Sequence, residues 1–396
     1  MEMDRLLILS WIIYASFYLC RVNFSIAMPH IGLELKIGEL ELGFMASGFF
    51  ATYSIGQLIN GYLNVKYDVK RMLVIGVLGS SISTLILGFS YNYNLDLILW
   101  VLNGYFQSIG WPSTVKLISI NADMEKLGRR FGLFNTSWTL GHAISWLATG
   151  IIIYSFGWRM GFIFNGFAFL TIALAAVTLI PQRNIDYHSG GEKYGKIKVM
   201  KDLENLKIKF LILLSIIFLL SDGVRYGLIT YLPSYIYMLE NSTLNATYTS
   251  IVLPLAGSIG MPIIGWFSDK VKYKIAPLIV LTVFTALMLA EFPKIYVWNK
   301  IYGIVILILI SILLYGLQSQ VTSAIPVEIS GVKYSSFSAG MINAVGSLGA
   351  FIFNLSGGAI IDYLGYLWLF SLWSLTQILQ AVILLYAHTK YKNETI

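Results

Sequence analysis

FYLCRVNFSIAMP, residues 17–29, and SDGVRYGLITYLP, residues 221–233, each place an arginine inside a run otherwise long and apolar enough to cross a lipid bilayer. A guanidinium at that depth costs at least about 2.5–3.5 kcal/mol, and it cannot escape by releasing its proton. Arg21 and Arg225 are therefore expected to face a bundle interior or a water-filled cavity, where such residues mark an ion or substrate site. The two segments also repeat one pattern. Each arginine is followed eight residues later by a proline, Pro29 and Pro233, and both pairs lie 204 residues apart. The same offset relates Arg5 to Lys209, Gly56 to Gly260 and Gly61 to Gly265. The chain reads as two copies of one bundle, with a symmetry-related cation in the first helix of each copy pointing at one shared anion on the axis between them.

The rest of the sequence fits a membrane protein. Of 396 residues, 57% are hydrophobic and 12% charged, more apolar surface than a water-soluble chain of this length could hide. Twelve apolar stretches of roughly 18–25 residues have the length that spans ~30 Å of hydrocarbon as helix. They run 6–28, 42–64, 72–90, 95–119, 131–154, 157–180, 208–238, 247–267, 275–291, 300–327, 335–361 and 365–388. The expected fold is an all-α integral membrane protein of twelve transmembrane helices in two pseudo-symmetric six-helix bundles, residues 1–180 and 208–396. Residues 181–207, with Gly190-Gly191 and mixed charge, read as a cytoplasmic linker. The first stretch is too long for a removed signal peptide and lacks its small-residue cleavage site, so it is expected to be retained.

Charge sets the orientation. With both termini cytoplasmic, 20 of the 27 Lys and Arg residues fall in inside segments. Only Lys36, Arg159, Lys294 and Lys300 fall outside, and Arg21, Lys116 and Arg225 stay in the membrane. That bias is the positive-inside pattern. The net charge of +7 is thus explained by topology in a multi-pass protein of the cytoplasmic membrane, with lipid as its surroundings and no nucleic-acid partner. Cys20 is the single cysteine and the four histidines are scattered, so no disulfide, metal site or cofactor is expected. Asn241 and Asn245 begin N-x-S/T sequons in an outside loop, relevant only where a host glycosylates.

Several motifs resemble the major facilitator superfamily and, within it, the organophosphate:phosphate antiporter family: YASFYLCRVNFSIAMP (14–29), YSIGQLINGYL (53–63), GWPSTVKLISINADMEKLGRRFGLFNTSW (110–138), FGWRMGFIF (156–164) and DGVRYGLITYLPSYI (222–236). The resemblance covers most of the chain. It implies that Arg21 and Arg225 bind a substrate phosphate, with Tyr14, Tyr18 and Tyr53 beside them. Three positions depart from the family pattern: Val22 and Gln57 replace lysines, and Trp138 replaces a histidine, with His142 one turn further on. In the loop after the second helix Gly61 and Leu63 match the superfamily's G-x-L-x-D pattern, but Val65 replaces the aspartate. The second copy, Gly265 to Lys270, keeps Asp269. A cytoplasmic gate built on Gly61, Gly265 and Asp269 should therefore rely more on the C-terminal half.

The chemistry suits a phosphate dianion, because two planar guanidinium forks can share one tetrahedral anion and tyrosine hydroxyls add donors without charge. Gln57, Trp138 and His142 are further candidate ligands. Asp222, three residues before Arg225, could neutralise it across one turn and serves as a coupling or charge-balancing candidate. Lys116 is expected to snorkel toward the cytoplasmic surface. The reading is a monomeric secondary transporter exchanging a sugar or glycerol phosphate for inorganic phosphate by alternating access. One alternative is a proton- or sodium-coupled symporter of organic carboxylates such as sugar acids. A second is a transporter-like membrane receptor for a sugar phosphate. With no nucleophile–base pair in the membrane, an enzyme is not expected.

Overall fold

The computed structural model describes residues 2–120, 127–180, 208–271 and 275–391. Its elements are helices: α1 (Glu2–Phe17), α2 (Asn23–Leu35), α3 (Glu39–Lys66), α4 (Val69–Phe89), α5 (Tyr93–Gln107), α6 (Gly110–Ile120), α7 (Leu127–Phe156) and α8 (Trp158–Thr178). After the undescribed segment 181–207 come α9 (Ile208–Glu240), α10 (Thr243–Ser250), α11 (Val252–Asp269), α12 (Ile275–Trp298), α13 (Lys300–Ser319), α14 (Ile325–Leu364) and α15 (Tyr366–Tyr391). Three predicted spans are bipartite, namely α1–α2, α5–α6 and α10–α11, and with each pair taken as one path the chain makes twelve crossings. Among the described residues, ten stretches are long and apolar enough to cross a membrane. The other two are 93–120, interrupted after Gln107, and α9, which carries Asp222 and Arg225.

The structure extends some expected spans. The first continues to Leu35 with Pro29 inside helix α2, and α12 continues through Pro293 to Trp298. A bilayer-buried helix tolerates proline where neighbouring groups satisfy the freed backbone; separately, Tyr235 Oη donates to Pro293 O at 3.3 Å. The tenth and eleventh spans are joined without a loop. A π-helical turn, Gln320–Ala324, carries the helical backbone from α13 into α14.

The turns carry the internal repeat. Lys36 and Asn241 close the first and seventh spans with φ of 54° and 47°. Gly157 and Gly365 close the fifth and eleventh with φ of 85° and 86°. Such left-handed residues end helices by presenting their amides to the last open carbonyls, and glycine adopts the geometry without strain. Asn92 and Asn299 likewise cap the fourth and tenth spans, each accepting two backbone N–H bonds at 2.9–3.3 Å. All six positions lie at one end of the bundle, termed the Gly365 end; the turn at Tyr67 marks the opposite end.

The buried core is divided in a way that reports the relation between the first six spans and the last six. One apolar cluster runs through both sets, from Met28, Phe49 and Phe162 to Leu232, Phe292 and Phe370. Two others, at the Tyr67 end, stay within one set each. Ile13, Phe17, Leu73 and Phe169 belong to the first, and Phe210, Leu278, Leu317 and Leu384 to the last. Among the described residues the sets are thus fused at the centre and the Gly365 end and packed in separate clusters at the Tyr67 end. Tyr91, Trp298 and Tyr363, 75–79% exposed around the Gly365 end, have the placement of aromatic residues at a membrane–water interface.

Candidate functional site

The site begins with a break in the first span. Helix α1 gives way at Tyr18–Cys20 to a tight turn, and α2 starts at Asn23. Carbonyls freed inside a bilayer need partners, because no water is at hand. Phe17 O accepts from Gln107 Nε2 (3.0 Å), Tyr18 O from Ser145 Oγ (2.8 Å) and Cys20 O from Asn103 Nδ2 (2.7 Å). Val22 O accepts from Trp146 Nε1 (3.0 Å). Asn103 and Gln107 on α5 are tied together through Ser80 on α4, at 2.6 and 2.8 Å. Helices α5 and α7 therefore hold the break from both sides, and Arg21 sits at its end.

Arg21 is 6% exposed. Its Nε donates to Gln107 Oε1 (3.0 Å) and its Nη1 to Tyr18 Oη (3.3 Å), while Nη2 is buried with no hydrogen-bond partner. The guanidinium lies 4.7 Å from the Tyr18 ring centre, 4.9 Å from Tyr53 and 5.8 Å from Tyr14, a cage of electron-rich faces that partly replaces water around the charge.

Arg225, on the unbroken α9, is 9% exposed and differently satisfied. Its Nε and Nη2 both donate to Asp222 Oδ1, at 3.0 and 2.5 Å. The rings of Tyr226 (4.3 Å), Trp138 and Tyr315 (both 5.5 Å) surround it. Tyr315 Oη is buried without a partner. Arg21 and Tyr226 line one cavity, and the Tyr226 ring lies 4.3 Å from the Arg225 guanidinium, so the two cations border one compartment although they come from different six-span sets.

The remaining sequence candidates distribute around that compartment. Tyr14 packs edge-on against Tyr18 and beside Trp111 and Phe134. Tyr53 stacks on Phe49, and Gln57 is half-buried one turn further along α3. His142 stacks on Tyr18 at 5.9 Å with its Nε2 buried and unpartnered. Trp138 lies flat on Tyr315 at 5.6 Å, bridging the first six spans to the last. Gly61 and Gly265 sit at the Tyr67 end; among the described residues, a side chain at Gly61 would meet nothing within 4 Å, and one at Gly265 only Gln320 Nε2 at 3.5 Å. The side chain of Asp269 lies outside the described residues. Lys116 Nζ donates to Asn64 O and Tyr67 O, at the exposed end of α3.

Sequence reasoning missed the polar residues that hold the break (Asn103, Gln107, Ser145, Trp146) and the aromatic walls Tyr226 and Tyr315. It also missed a clasp at the Gly365 end. There the Asp362 carboxylate, at the end of α14, accepts from Glu39 N (2.9 Å) and Leu40 N (2.7 Å), capping α3 of the other set. Tyr366 Oη donates to Glu39 Oε1 at 3.0 Å, and Tyr231 Oη donates to Asn354 O at 2.5 Å. Gly358 packs so tightly that a Cβ there would lie 2.2 Å from Glu39 O.

Twelve helical crossings in two repeated sets, with a charged compartment walled by both, define a multi-pass membrane protein. Residues 10–354 match the profile of the Major Facilitator Superfamily, and the chain belongs to that superfamily. Among its relatives is a probable hexose phosphate transport protein of Chlamydia trachomatis serovar D, 25% identical over 285 residues, covering 65% of this chain and 62% of the relative. The membrane sensor protein UhpC of Escherichia coli is 25% identical, covering 67% of this chain and 64% of its own. For these two the chain spans less than two thirds of the relative's length. The glycerol-3-phosphate transporter of Bacillus subtilis is 24% identical over 379 residues, covering 88% and 84%. Two solved structures share the fold. The nucleoside transporter NupG aligns with a TM-score of 0.78 at 11% identity, covering 96% of this chain and 99% of its own. A bacterial homolog of the human lysosomal transporter Spinster, inward-facing and unoccupied, aligns at 0.73 and 15%, covering 98% and 96%.

Proposed function

We propose that this protein exchanges an organophosphate, a sugar or glycerol phosphate, for inorganic phosphate across the cytoplasmic membrane by alternating access. The observation that carries the reading is the convergence of two buried guanidiniums from opposite six-span sets on one tyrosine-walled compartment, with Arg21 Nη2 left without a partner. Phosphate oxygens suit such donors, since a guanidinium fork binds them bidentately. The phosphate-compound relatives point the same way.

In this reading residues 1–180 and 208–396 are two bundles that rock about the bound anion, with 181–207 as linker and both termini cytoplasmic. The Gly365 end is then the outer face, closed by the Asp362 clasp, and the Tyr67 end is the cytoplasmic mouth, where Gly61, Gly265 and Asp269 form the gate. Tyr14, Tyr18, Tyr53, Gln57, Trp138 and His142 complete the anion site around Arg21 and Arg225. An empty site holding a buried cation without its countercharge resists reorientation, and a bound anion removes that barrier, which makes exchange obligatory. The working unit is taken to be a monomer in lipid.

Purified protein in liposomes tests this. Labelled phosphate should enter vesicles preloaded with phosphate and not empty ones; equal uptake into both would rule out obligatory exchange. The Arg225–Asp222 pair favours a second reading, because it leaves one unpaired guanidinium and a buried carboxylate. That arrangement also suits a proton-coupled symporter of organic carboxylates, in which uptake would follow an imposed pH gradient without counter-phosphate. The sensor among the relatives motivates a third, in which the chain binds a sugar phosphate with no flux.

A further inference from the structure

The two arginines of the site differ in the charge of their partners. Arg225 is paired: its Nε and Nη2 both donate to Asp222 Oδ1, and the two side chains are buried together on one turn of α9. The other Asp222 oxygen faces Gly346 on α14, where a Cβ would lie 3.2 Å from it, so the carboxylate meets no second cation there. Arg21 has neutral partners, Gln107 through Nε and Tyr18 through Nη1, and its Nη2 has none. The remaining walls add no charge. Tyr14, Tyr53, Tyr226, Tyr315 and Trp138 surround the guanidiniums as rings. His142 stacks on Tyr18 with Nε2 buried and unpartnered, so no carboxylate there favours its charged form. Two positive charges and one negative leave the compartment with one net positive charge.

We infer that this site carries its phosphate compound as a monoanion, either a singly ionised phosphate or phosphate monoester or a phosphodiester, whose one charge matches the one uncompensated guanidinium. The inference rests on the phosphate reading above. Two guanidiniums alone would call for a dianion. With Asp222 in place, a dianion turns the compartment from one net positive charge to one net negative charge, and a buried charge without a partner is strongly disfavoured. A monoanion brings the compartment to neutrality. The same balance serves the crossing, because the halves reorient about a neutral occupied site and are held back by a charged empty one. A dianion enters only with an added proton, on its own oxygen or on Asp222, and either route delivers the same net charge. Asp222 thus sets the ionic form of the substrate: it subtracts one charge from a site whose two cations the repeat would otherwise leave equal.

The test is competition against labelled phosphate exchange in liposomes holding the full chain, with two tetrahedral probes of fixed charge, methyl sulfate as monoanion and sulfate as dianion. At neutral pH methyl sulfate should compete at least about tenfold more strongly than sulfate, because the dianion leaves a buried charge unpaired. Asp222→Asn, which leaves two uncompensated cations, should reverse that order, and Asp222→Glu, which keeps the charge, should preserve it. A purely structural role for Asp222 would lower both potencies together. Unlabelled phosphate supplies a measure that needs no variant. As pH rises through its second pKa, its potency should fall relative to methyl sulfate, whose charge does not change. Sulfate that competes as well as methyl sulfate in the unmodified protein, an order unmoved in Asp222→Asn, or phosphate potency that holds against methyl sulfate as pH rises, overturns the monoanion assignment while leaving phosphate exchange standing. Absence of phosphate exchange in the unmodified protein overturns the reading beneath it.

Discussion

Arg225 donates through two nitrogens to one oxygen of Asp222, at 3.0 and 2.5 Å, whereas Arg21, its counterpart in the repeat, keeps Nη2 buried and unpaired. The residue three before Arg21 is Tyr18, not an acid. Two cations that the sequence relates by symmetry are therefore unequal in charge compensation before any ligand arrives.

Substituting Asp222→Asn leaves Arg225 buried without its countercharge. Removal of one partner from a buried pair typically costs about 3–5 kcal/mol, so the variant should unfold at a lower temperature. An added anion replaces the missing charge, so phosphate should raise the melting temperature of Asp222→Asn by more than it raises the unmodified protein's. Thermal unfolding in detergent with and without phosphate measures both shifts; equal shifts would contradict the assignment.

Gln107 supports Arg21 and the helix break at once, accepting from Arg21 Nε and donating to Phe17 O and Ser80 Oγ. Gln107→Leu strands buried polar groups at roughly 1–3 kcal/mol each. We expect a stability loss of a few kcal/mol together with weaker phosphate binding. Gln107→Glu, which keeps the acceptor for Arg21 but adds a carboxylate, should weaken phosphate binding further by mimicking the Asp222 arrangement. Calorimetric titration of phosphate into each variant distinguishes the two.

Asp362 caps α3 across the interface between the six-span sets, so its contribution exists only while the Gly365 end is closed. Loss of an N-cap costs typically about 1 kcal/mol. Asp362→Ala should shift the balance toward the state open at that end by about fivefold. Cysteines placed at the Gly365 end and labelled with a membrane-impermeant thiol reagent report this shift, and unchanged labelling rates would show that the clasp is not a gate.

The architecture was legible because a bilayer leaves a chain few options. Apolar length predicts the crossings, and the recurrence of Arg21 and Arg225 at one offset marks both the repeat and the candidate site. The break at Tyr18–Cys20 was not legible, because no glycine or proline lies there. It is stabilised by Asn103, Gln107, Ser145 and Trp146, at least 83 residues away in sequence. Pro29, the residue that a local reading would choose as a helix breaker, lies inside α2. Tyr226 and Tyr315 were equally hidden, since a chain with 25 tyrosines gives no sign of which two face a cation. The Asp362 clasp joins residues 322 positions apart, a pairing that no spacing announces.

The central claim is that Arg21 and Arg225 share one anion, and a double-mutant cycle on phosphate affinity tests it most directly. Arg21→Lys, Arg225→Lys and the double variant are titrated with phosphate alongside the unmodified protein. Groups that act on one ligand at one site couple, whereas independent ones add to within about 0.3–0.5 kcal/mol. The account predicts that each single variant loses most of the affinity and that the double variant loses little more. Additive losses, or a single variant that binds phosphate as well as the unmodified protein, would contradict it.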